Sequence, residues 1–197
     1  MNEERTLVDR AKQGDEEAFA SLVEQYQDRV YRLALRMCGS GHDAEEAAQE
    51  AFVAAWRGLP AFRGESRFSS WLYQLTSNAS IDLLRREKRH RTNVPIEEQI
   101  LPLSEDTPQQ NAENAELRRN LQNALMALTP EHREIFLLRQ MQQLSYEEIG
   151  EMLGLESGTV KSRLNRAKKQ LRQNLLQQGN ILPFPSVKGN EEGQKNV

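Results

Sequence analysis

Residues 144–164 constrain the fold of this chain more than any other segment. Apolar residues recur there at helical spacing on both sides of a short polar turn, which predicts two helices. Ser145 and Glu148 have the spacing of a capping box at the start of the first helix. Gly154 suits the left-handed position at its end, and we expect Ser157 to cap the second helix. The pattern predicts a helix-turn-helix.

The second helix of this motif is strongly basic. Its inward positions are apolar, namely Val160, Leu164, Ala167 and Leu171. Its outward positions carry cations and no acid, namely Lys161, Arg163, Arg166, Lys168, Lys169 and Arg172. This composition is typical of a recognition helix that enters the DNA major groove. A helical hairpin with a solvated basic face is the plainer alternative, but it does not explain the spacing of Gly150 and Gly154.

The charge of the chain is unevenly distributed. The formal net charge is −3, yet residues 85–91 hold five cations and one acid, while acids concentrate in 43–50 and 97–116. The local sign of charge governs attraction to phosphates more than the total does. The negative net charge therefore does not exclude a nucleic acid partner.

Several classes of protein are disfavoured by composition and motifs. The single cysteine, Cys38, cannot form an internal disulfide. No signal peptide is recognisable, and no apolar run reaches the roughly 20 residues of a membrane span. We therefore expect a cytoplasmic protein without membrane insertion. Metal-ligand spacing, phosphate loops and nucleophile motifs are missing, so we expect no metal, no cofactor and no enzymatic activity.

Prolines and acids divide the chain into parts. Residues 5–91 form one helical block, and residues 92–112 form a linker whose prolines and acids give it too little apolar surface to fold alone. Residues 113–176 form a second helical domain, and we expect the tail at 177–197 to be disordered. The sequence thus predicts an all-α fold of two small helical domains joined by a flexible acidic linker, the second ending in the helix-turn-helix.

Caps and breakers locate the individual helices. In the first domain, one helix begins at or near Asp15 and ends at Gly39. A second spans about Asp43 to Gly58, and a third about Phe68 to His90. In the second domain, Thr129 followed by Pro130 marks a capped helix start, because proline suits the first helical position.

An acidic flank lies on the second predicted helix. Glu46, Gln49 and Glu50 share it, because residues three and four apart are neighbours on a helix. From the local pattern alone, a solvated acidic face is the more common meaning of such a run.

Aromatic residues and cations alternate between the second and third predicted helices. Phe62, Phe68 and Trp71 could stack on unpaired bases, and Arg63 and Arg67 could contact phosphates. The same aromatic residues could equally form core, and for Trp71 we favour the core. Further along, the third helix places three polar side chains on one face, and asparagine is a good reader of base edges. These residues are Asn78, Asp82 and either Arg85 or Arg86.

Taken in this order, the segments resemble the extracytoplasmic-function group of bacterial RNA polymerase sigma factors. The resemblance covers about residues 15–172 and leaves the tail outside it. The segments that carry it are residues 43–52, residues 68–78 with Asp82 and Arg85-Arg86, Leu128-Thr129-Pro130, and the helix-turn-helix through Arg163.

The resemblance implies a function that the residues alone do not prove. A sigma factor binds core RNA polymerase, recognises minus-35 and minus-10 promoter elements and promotes DNA melting. The implied partners are the β′ clamp helices and the β flap of core polymerase, duplex and single-stranded promoter DNA, and an anti-sigma factor. The alternative is a stand-alone helix-turn-helix regulator, which leaves the acidic flank and the aromatic loop without a role.

The resemblance also implies roles for particular residues. It assigns core polymerase binding to Glu46, Gln49 and Glu50. Binding of the minus-10 element falls to Phe62, Arg63, Ser66, Phe68, Asn78, Asp82, Arg85, Arg86 and Arg89. Binding of the minus-35 element falls to Ser157, Thr159, Lys161, Ser162, Arg163, Arg166 and Lys169.

Overall fold

The computed structural model describes residues 2–90 and 108–177, with the side chains of 3–87 and 116–177. Every regular element within these ranges is a helix, which confirms the all-α prediction. The elements are α1 (Asn2–Ala11), α2 (Glu16–Cys38), α3 (Gly41–Gly58), a 3-10 turn (Leu59–Ala61), α4 (Phe68–His90), α5 (Pro108–Met126), α6 (Pro130–Gln140), α7 (Tyr146–Leu153) and α8 (Ser157–Gln177). The predicted tail lies outside the described residues, as does the linker up to residue 107.

Helices α2 to α4 follow the predicted caps closely. Asp15 accepts a hydrogen bond from the Ala18 N–H (3.0 Å) at the start of α2, and Gly39 ends it at φ 83°. Helix α3 begins at Gly41, two residues earlier than predicted, because Ser40 caps it. Helix α4 has the predicted bounds.

In the second helical group, α5 to α8, the predicted caps of α6 and α7 are confirmed. Thr129 accepts a hydrogen bond from the His132 N–H (3.4 Å), and Pro130 is the first residue of α6. At α7, the Glu148 N–H donates to Ser145 Oγ (3.0 Å) and the Ser145 N–H donates to Glu148 Oε2 (2.8 Å), which completes the capping box. These bonds satisfy helix-terminal donors that would otherwise lack partners.

The turn between α7 and α8 depends on two glycines. Gly154 ends α7 at φ 65°. A Cβ atom on Gly150 would lie 2.5 Å from the Leu155 carbonyl oxygen, so only glycine allows this approach. The Leu155 N–H donates to the Gly150 carbonyl across the same turn (2.8 Å). One detail differs from the prediction, because Ser157 is the first residue of α8 rather than its cap.

Helix α5 begins inside the segment that the sequence suggested as linker. Its first residue is Pro108, five positions before the predicted domain boundary at 113. Proline has its φ fixed near the helical value and lacks the N–H that a first helical residue cannot pair, so it starts a helix easily.

The two helical groups share a core. Leu22, Leu59 and Leu72 lie in an apolar cluster formed by α1 to α4 and the 3-10 turn. A second cluster joins the C-terminal part of α2 to the second group, with Leu33 and Met37 packed together with Leu125, Ile135 and Leu164. The C-terminal half of α2 therefore completes the core of the second helical group, which the sequence did not predict.

Arg133 stabilises the junction between α2 and the second helical group through hydrogen bonds. Its side chain is buried, and its guanidinium donates to the carbonyls of Leu125 (3.0 Å), Met126 (2.9 Å) and Leu128 (3.1 Å) near the end of α5. It also donates to the carbonyl of Met37 in α2. Carbonyls at helix ends lack partners within the helix. One arginine thus satisfies groups from both halves of the molecule.

Candidate polymerase and nucleic-acid interfaces

The predicted acidic flank exists on α3 and is accessible. Gln49 and Glu50 are exposed and Glu46 is half-buried, while Ala47, Ala51 and Ala55 face the core. The flank is not made of carboxylates alone. Arg86 of α4 reaches across, and its Nη2 lies 3.1 and 3.0 Å from the two carboxylate oxygens of Glu50.

Arg86 also approaches a second carboxylate of the flank. Its Nη1 lies 3.9 Å from Glu46 Oε1. The hydrogen bonds and charge of Glu50, with the charge of Glu46, raise the pKa of Arg86 above its ordinary value. The structure therefore brings together a residue predicted to bind DNA and two residues predicted to bind core polymerase.

The aromatic residues of the loop between the 3-10 turn and α4 form its anchor. The Phe62 ring stacks on Trp71 with 4.8 Å between centroids, and Phe68 is buried at 3% exposure. Lys12 Nζ donates to the Phe62 carbonyl oxygen (2.7 Å) and ties the loop to the end of α1. Phe62 is half-buried, so one part of its ring stays accessible.

The polar residues of the same loop point to solvent. Arg63 and Ser66 are exposed, and Arg63 lies 3.8 Å from Glu65 in an exposed ion pair. Such a pair is worth little in water, so the guanidinium is available to another anion.

A polar row continues along α4. Asn78 and Asp82 are exposed, and Arg85 lies 3.3 Å from Asp82 on the next turn. Residues 78, 82 and 85 share one face because their spacings are four and three. Arg86 leaves this row and turns to α3. The side chain of Arg89, which the sequence placed with this group, lies outside the described residues.

Helix α8 presents the predicted basic face. Val160, Leu164, Ala167 and Leu171 are buried. On the opposite side, Thr159 and Arg163 are half-exposed, and the other candidates are exposed, namely Ser157, Lys161, Ser162, Arg166 and Lys169. Within the described ranges, none of the α8 cations forms an ion pair with an acidic side chain. The face can therefore bind external anions without first breaking internal pairs.

The loop and the helix-turn-helix face each other. A cleft of about 770 Å³ separates them, lined by Gly64, Glu65, Ser66, Arg67, Ser70, Trp71 and Gln74 on one side and by Glu148, Glu151 and Met152 on the other. Gln74 Nε2 donates to the Met152 carbonyl oxygen and bridges the two walls. The cleft shows that the two candidate DNA-binding regions are neighbours in this structure.

Sequence reasoning missed two residues that position these surfaces. Lys12 holds the loop backbone, and Arg133 holds the junction of the halves. A lysine between two helices and an arginine in a helix are common, so neither gives a local signal; only the fold shows their partners.

Other kinds of site find little support in the described part of the chain. No helix there is long and apolar enough to cross a membrane. Nor do its His, Cys, Asp and Glu side chains cluster in threes at distances that suit a metal ion.

Comparison with known proteins identifies both halves. The family described as Sigma-70 region 2 matches residues 22–90, and Sigma-70, region 4 matches residues 118–171. The sigma factor SigE of Mycolicibacterium smegmatis is 40% identical over 166 residues, which are 82% of this chain and 64% of that protein. SigW of Bacillus subtilis is 34% identical over 176 residues, which are 85% of this chain and 94% of SigW.

Solved structures show the same arrangement of helices. CnrH, solved in complex with the cytosolic domain of CnrY, has a TM-score of 0.67 and 25% identity, covering 91% of this chain and 99% of that one. The sigma factor RpoE of Bartonella quintana, solved with the anti-sigma factor NepR, has a TM-score of 0.65 and 24% identity, covering 80% and 96%. With regions 2 and 4 in order and near full-length similarity to SigW, the chain belongs to the extracytoplasmic-function (ECF) family of RNA polymerase sigma factors, which are promoter-recognising initiation factors and not enzymes.

Proposed function

We propose that separate surfaces of this sigma factor bind core polymerase, the minus-10 element and the minus-35 element. The α3 flank of Glu46, Gln49 and Glu50 binds the β′ clamp helices of core polymerase, and the second helical group binds the β flap. The loop after the 3-10 turn, with the polar row of α4, binds the minus-10 element. Helix α8 reads the minus-35 element. The observation that carries the proposal is the exposed basic face of α8, whose cations form no ion pair with the acids of residues 3–87 and 116–177 and whose turn is held by Gly150.

Within the minus-10 surface, solvent exposure distinguishes the residues that can contact DNA from those that support the loop. Arg63, Ser66 and Asn78 are exposed and suit contacts with bases and phosphates of an unpaired strand. Phe68 is buried and packs edge-to-face against Phe62, so we propose that it holds the loop rather than touching DNA. Asp82 and Arg85 extend the surface along α4, and from its place in the sequence we assign Arg89 to the same role.

Promoter binding requires the two halves to separate. The minus-35 and minus-10 elements lie about 25 base pairs apart, or about 85 Å at 3.4 Å per base pair. A compact chain of this length has a radius of gyration on the order of 16 Å. The loop and α7 line one cleft, so the compact form cannot occupy both elements at once.

The compact form is therefore the state without promoter. Residues 91–107 join the halves in sequence, and their separation breaks contacts of the shared core and of Arg133. Joining two moderate DNA contacts raises the effective concentration of the second once the first forms.

We propose an anti-sigma factor as a further partner, in the cytoplasm. The solved complex of the sigma factor RpoE with the anti-sigma factor NepR supports this partner class, and CnrH was also solved with a protein partner, the cytosolic domain of CnrY. In the proposal, such a partner binds the compact form and withholds the chain from core polymerase.

Run-off transcription with purified core polymerase tests the proposed function. Sequencing of transcripts after overexpression supplies the promoter for the template. We expect specific transcripts only when the chain is present, and their loss when Arg163 and Arg166 are both replaced by alanine. Arg57→Ala, which removes an exposed cation outside all three surfaces, is the matched control. A chain that shifts promoter DNA alone but never confers initiation on core is instead a stand-alone regulator.

A further inference from the structure

Arg86 occupies a position between two surfaces that the proposed function keeps separate. Its neighbour in sequence, Arg85, belongs to the polar row of α4 and lies beside Asp82. Arg86 instead lies within 3.1 Å of both carboxylate oxygens of Glu50 and 3.9 Å from Glu46. The Nη2 group that binds Glu50 is therefore not available to a DNA phosphate while this geometry holds.

The carboxylates of Glu46 and Glu50 are in turn partly occupied by Arg86. Glu46 and Glu50 are one helical turn apart on α3, so a single cation between them neutralises part of the flank. A cationic docking element on core polymerase therefore competes with Arg86 for both acids. The side chains of Glu46 and Glu50 are 42% and 45% exposed, and that of Arg86 is 44% exposed. All three are therefore accessible to a partner that exchanges one ion pair for another.

We propose that the Arg86–Glu50 ion pair couples core binding to DNA binding, an inference that rests on the proposed function of both surfaces. In the free chain, Glu50 holds Arg86 away from DNA, and Arg86 masks the acids from core. When a cationic surface of core polymerase takes the acids, Arg86 is released to bind a phosphate of the minus-10 strand. Linkage makes the effect reciprocal, so DNA that takes Arg86 strengthens core binding by the same factor.

The strength of the ion pair sets the size of the effect. Exposed ion pairs are weak, and breaking one changes an equilibrium about two- to fivefold. A released arginine that binds a phosphate of single-stranded DNA steepens the dependence of log affinity on log salt by about 0.7. Both quantities can be measured on the full chain.

The first arm of the test measures binding of the full chain to a fluorescent oligothymidylate over a salt series. We expect Glu50→Gln to tighten binding about two- to fivefold and to steepen the salt dependence by about 0.7. Glu45→Gln is the matched control, since it removes an exposed acid from α3 that does not contact Arg86. The double variant Glu50→Gln/Arg86→Gln should show neither the tighter binding to the oligonucleotide nor the steeper salt dependence. Equal effects of Glu50→Gln and Glu45→Gln, or a gain that survives in the double variant, overturn the proposal.

The second arm measures the affinity of core polymerase for the chain without DNA. We expect Arg86→Gln to tighten core binding by a similar factor, because the acids are unmasked, and Arg57→Gln to leave it unchanged. Unchanged or weaker core binding by Arg86→Gln overturns the coupling. Run-off transcription by the wild-type chain separates the two levels of inference. If the wild-type chain supports run-off transcription but either arm gives the contrary result, the coupling alone is rejected. If the wild-type chain does not support run-off transcription, the proposed function itself is rejected.

Discussion

Glu134 is the residue whose burial has the clearest consequence for stability. It lies at 6% exposure on α6, and neither its Oε1 nor the nearby Ser77 Oγ has a hydrogen bond of normal geometry among the described residues. Burial raises the pKa of this carboxyl to about 7; the Ser77 hydroxyl offsets part of the effect, and the charge of Glu131 adds to it. A carboxyl that is neutral when folded and charged when unfolded makes stability fall as pH rises.

We predict that Glu134→Gln removes this pH dependence. The folded pKa is about 7 and the ordinary value is 4.5, so the wild type loses about 3 kcal/mol between those two pH values relative to the variant. Urea unfolding at pH 5 and pH 8 measures the difference. Glu24→Gln, at an exposed site on α2, should behave as wild type. A wild-type chain that gains stability relative to Glu134→Gln as pH rises contradicts the assignment.

Gly150 gives a second prediction at the scale of the residue. The Cβ of alanine would overlap the Leu155 carbonyl oxygen at 2.5 Å, so the turn before α8 must shift. We predict that Gly150→Ala lowers the free energy of unfolding by about 1–3 kcal/mol and weakens minus-35 binding. Gly158→Ala is the matched comparison, since no atom lies within 4 Å of its Cβ and alanine favours helix. Equal melting temperatures for the two variants would show that the turn tolerates a side chain.

Helix α8 is the element to which the proposed function assigns sequence specificity. Arg163 lies near its N-terminal end, where recognition helices contact base edges, whereas Lys169 lies almost two turns further along. The two residues should therefore contribute differently to binding, although both carry one positive charge.

We predict that Arg163→Ala costs about 1–3 kcal/mol on the minus-35 element and relaxes the preference at one base position. Lys169→Ala should weaken binding to all sequences alike and reduce the salt slope by about 0.9. Binding of wild-type and substituted duplexes over a salt series separates the two behaviours. A uniform loss for Arg163→Ala would reassign that residue to phosphate.

The elements were predicted better than their contacts. Caps are local, so Asp15, Ser145, Gly154 and Thr129 could be recognised from a few neighbouring residues. The start of α5 at Pro108 was not recognised, because proline can equally end a structured segment or begin a helix. Neighbouring residues do not distinguish these two roles of proline, and only the packing of the segment in the fold does.

At the scale of the whole molecule, the association of the halves was beyond sequence reasoning. Leu33 and Met37 fit the apolar stripe of α2 equally well whether they cover region 2 alone or both regions. Arg133 shows no pattern that marks it as the donor to carbonyls of α2 and α5. The site residues were predictable by type, but the contact of Arg86 with Glu50 depends on how α4 crosses α3.

The distance between the two DNA-binding regions tests the central claim most directly. Glu65 and Glu151 line opposite walls of the cleft, so cysteines at these positions can carry a donor and an acceptor dye. Cys38 is buried with the pKa of its thiol raised to about 12, so it should stay unlabelled. We predict efficient energy transfer in the free chain and its loss in the complex with core polymerase and promoter, where the two elements lie about 85 Å apart. Efficient transfer that persists in a transcribing complex would contradict the account.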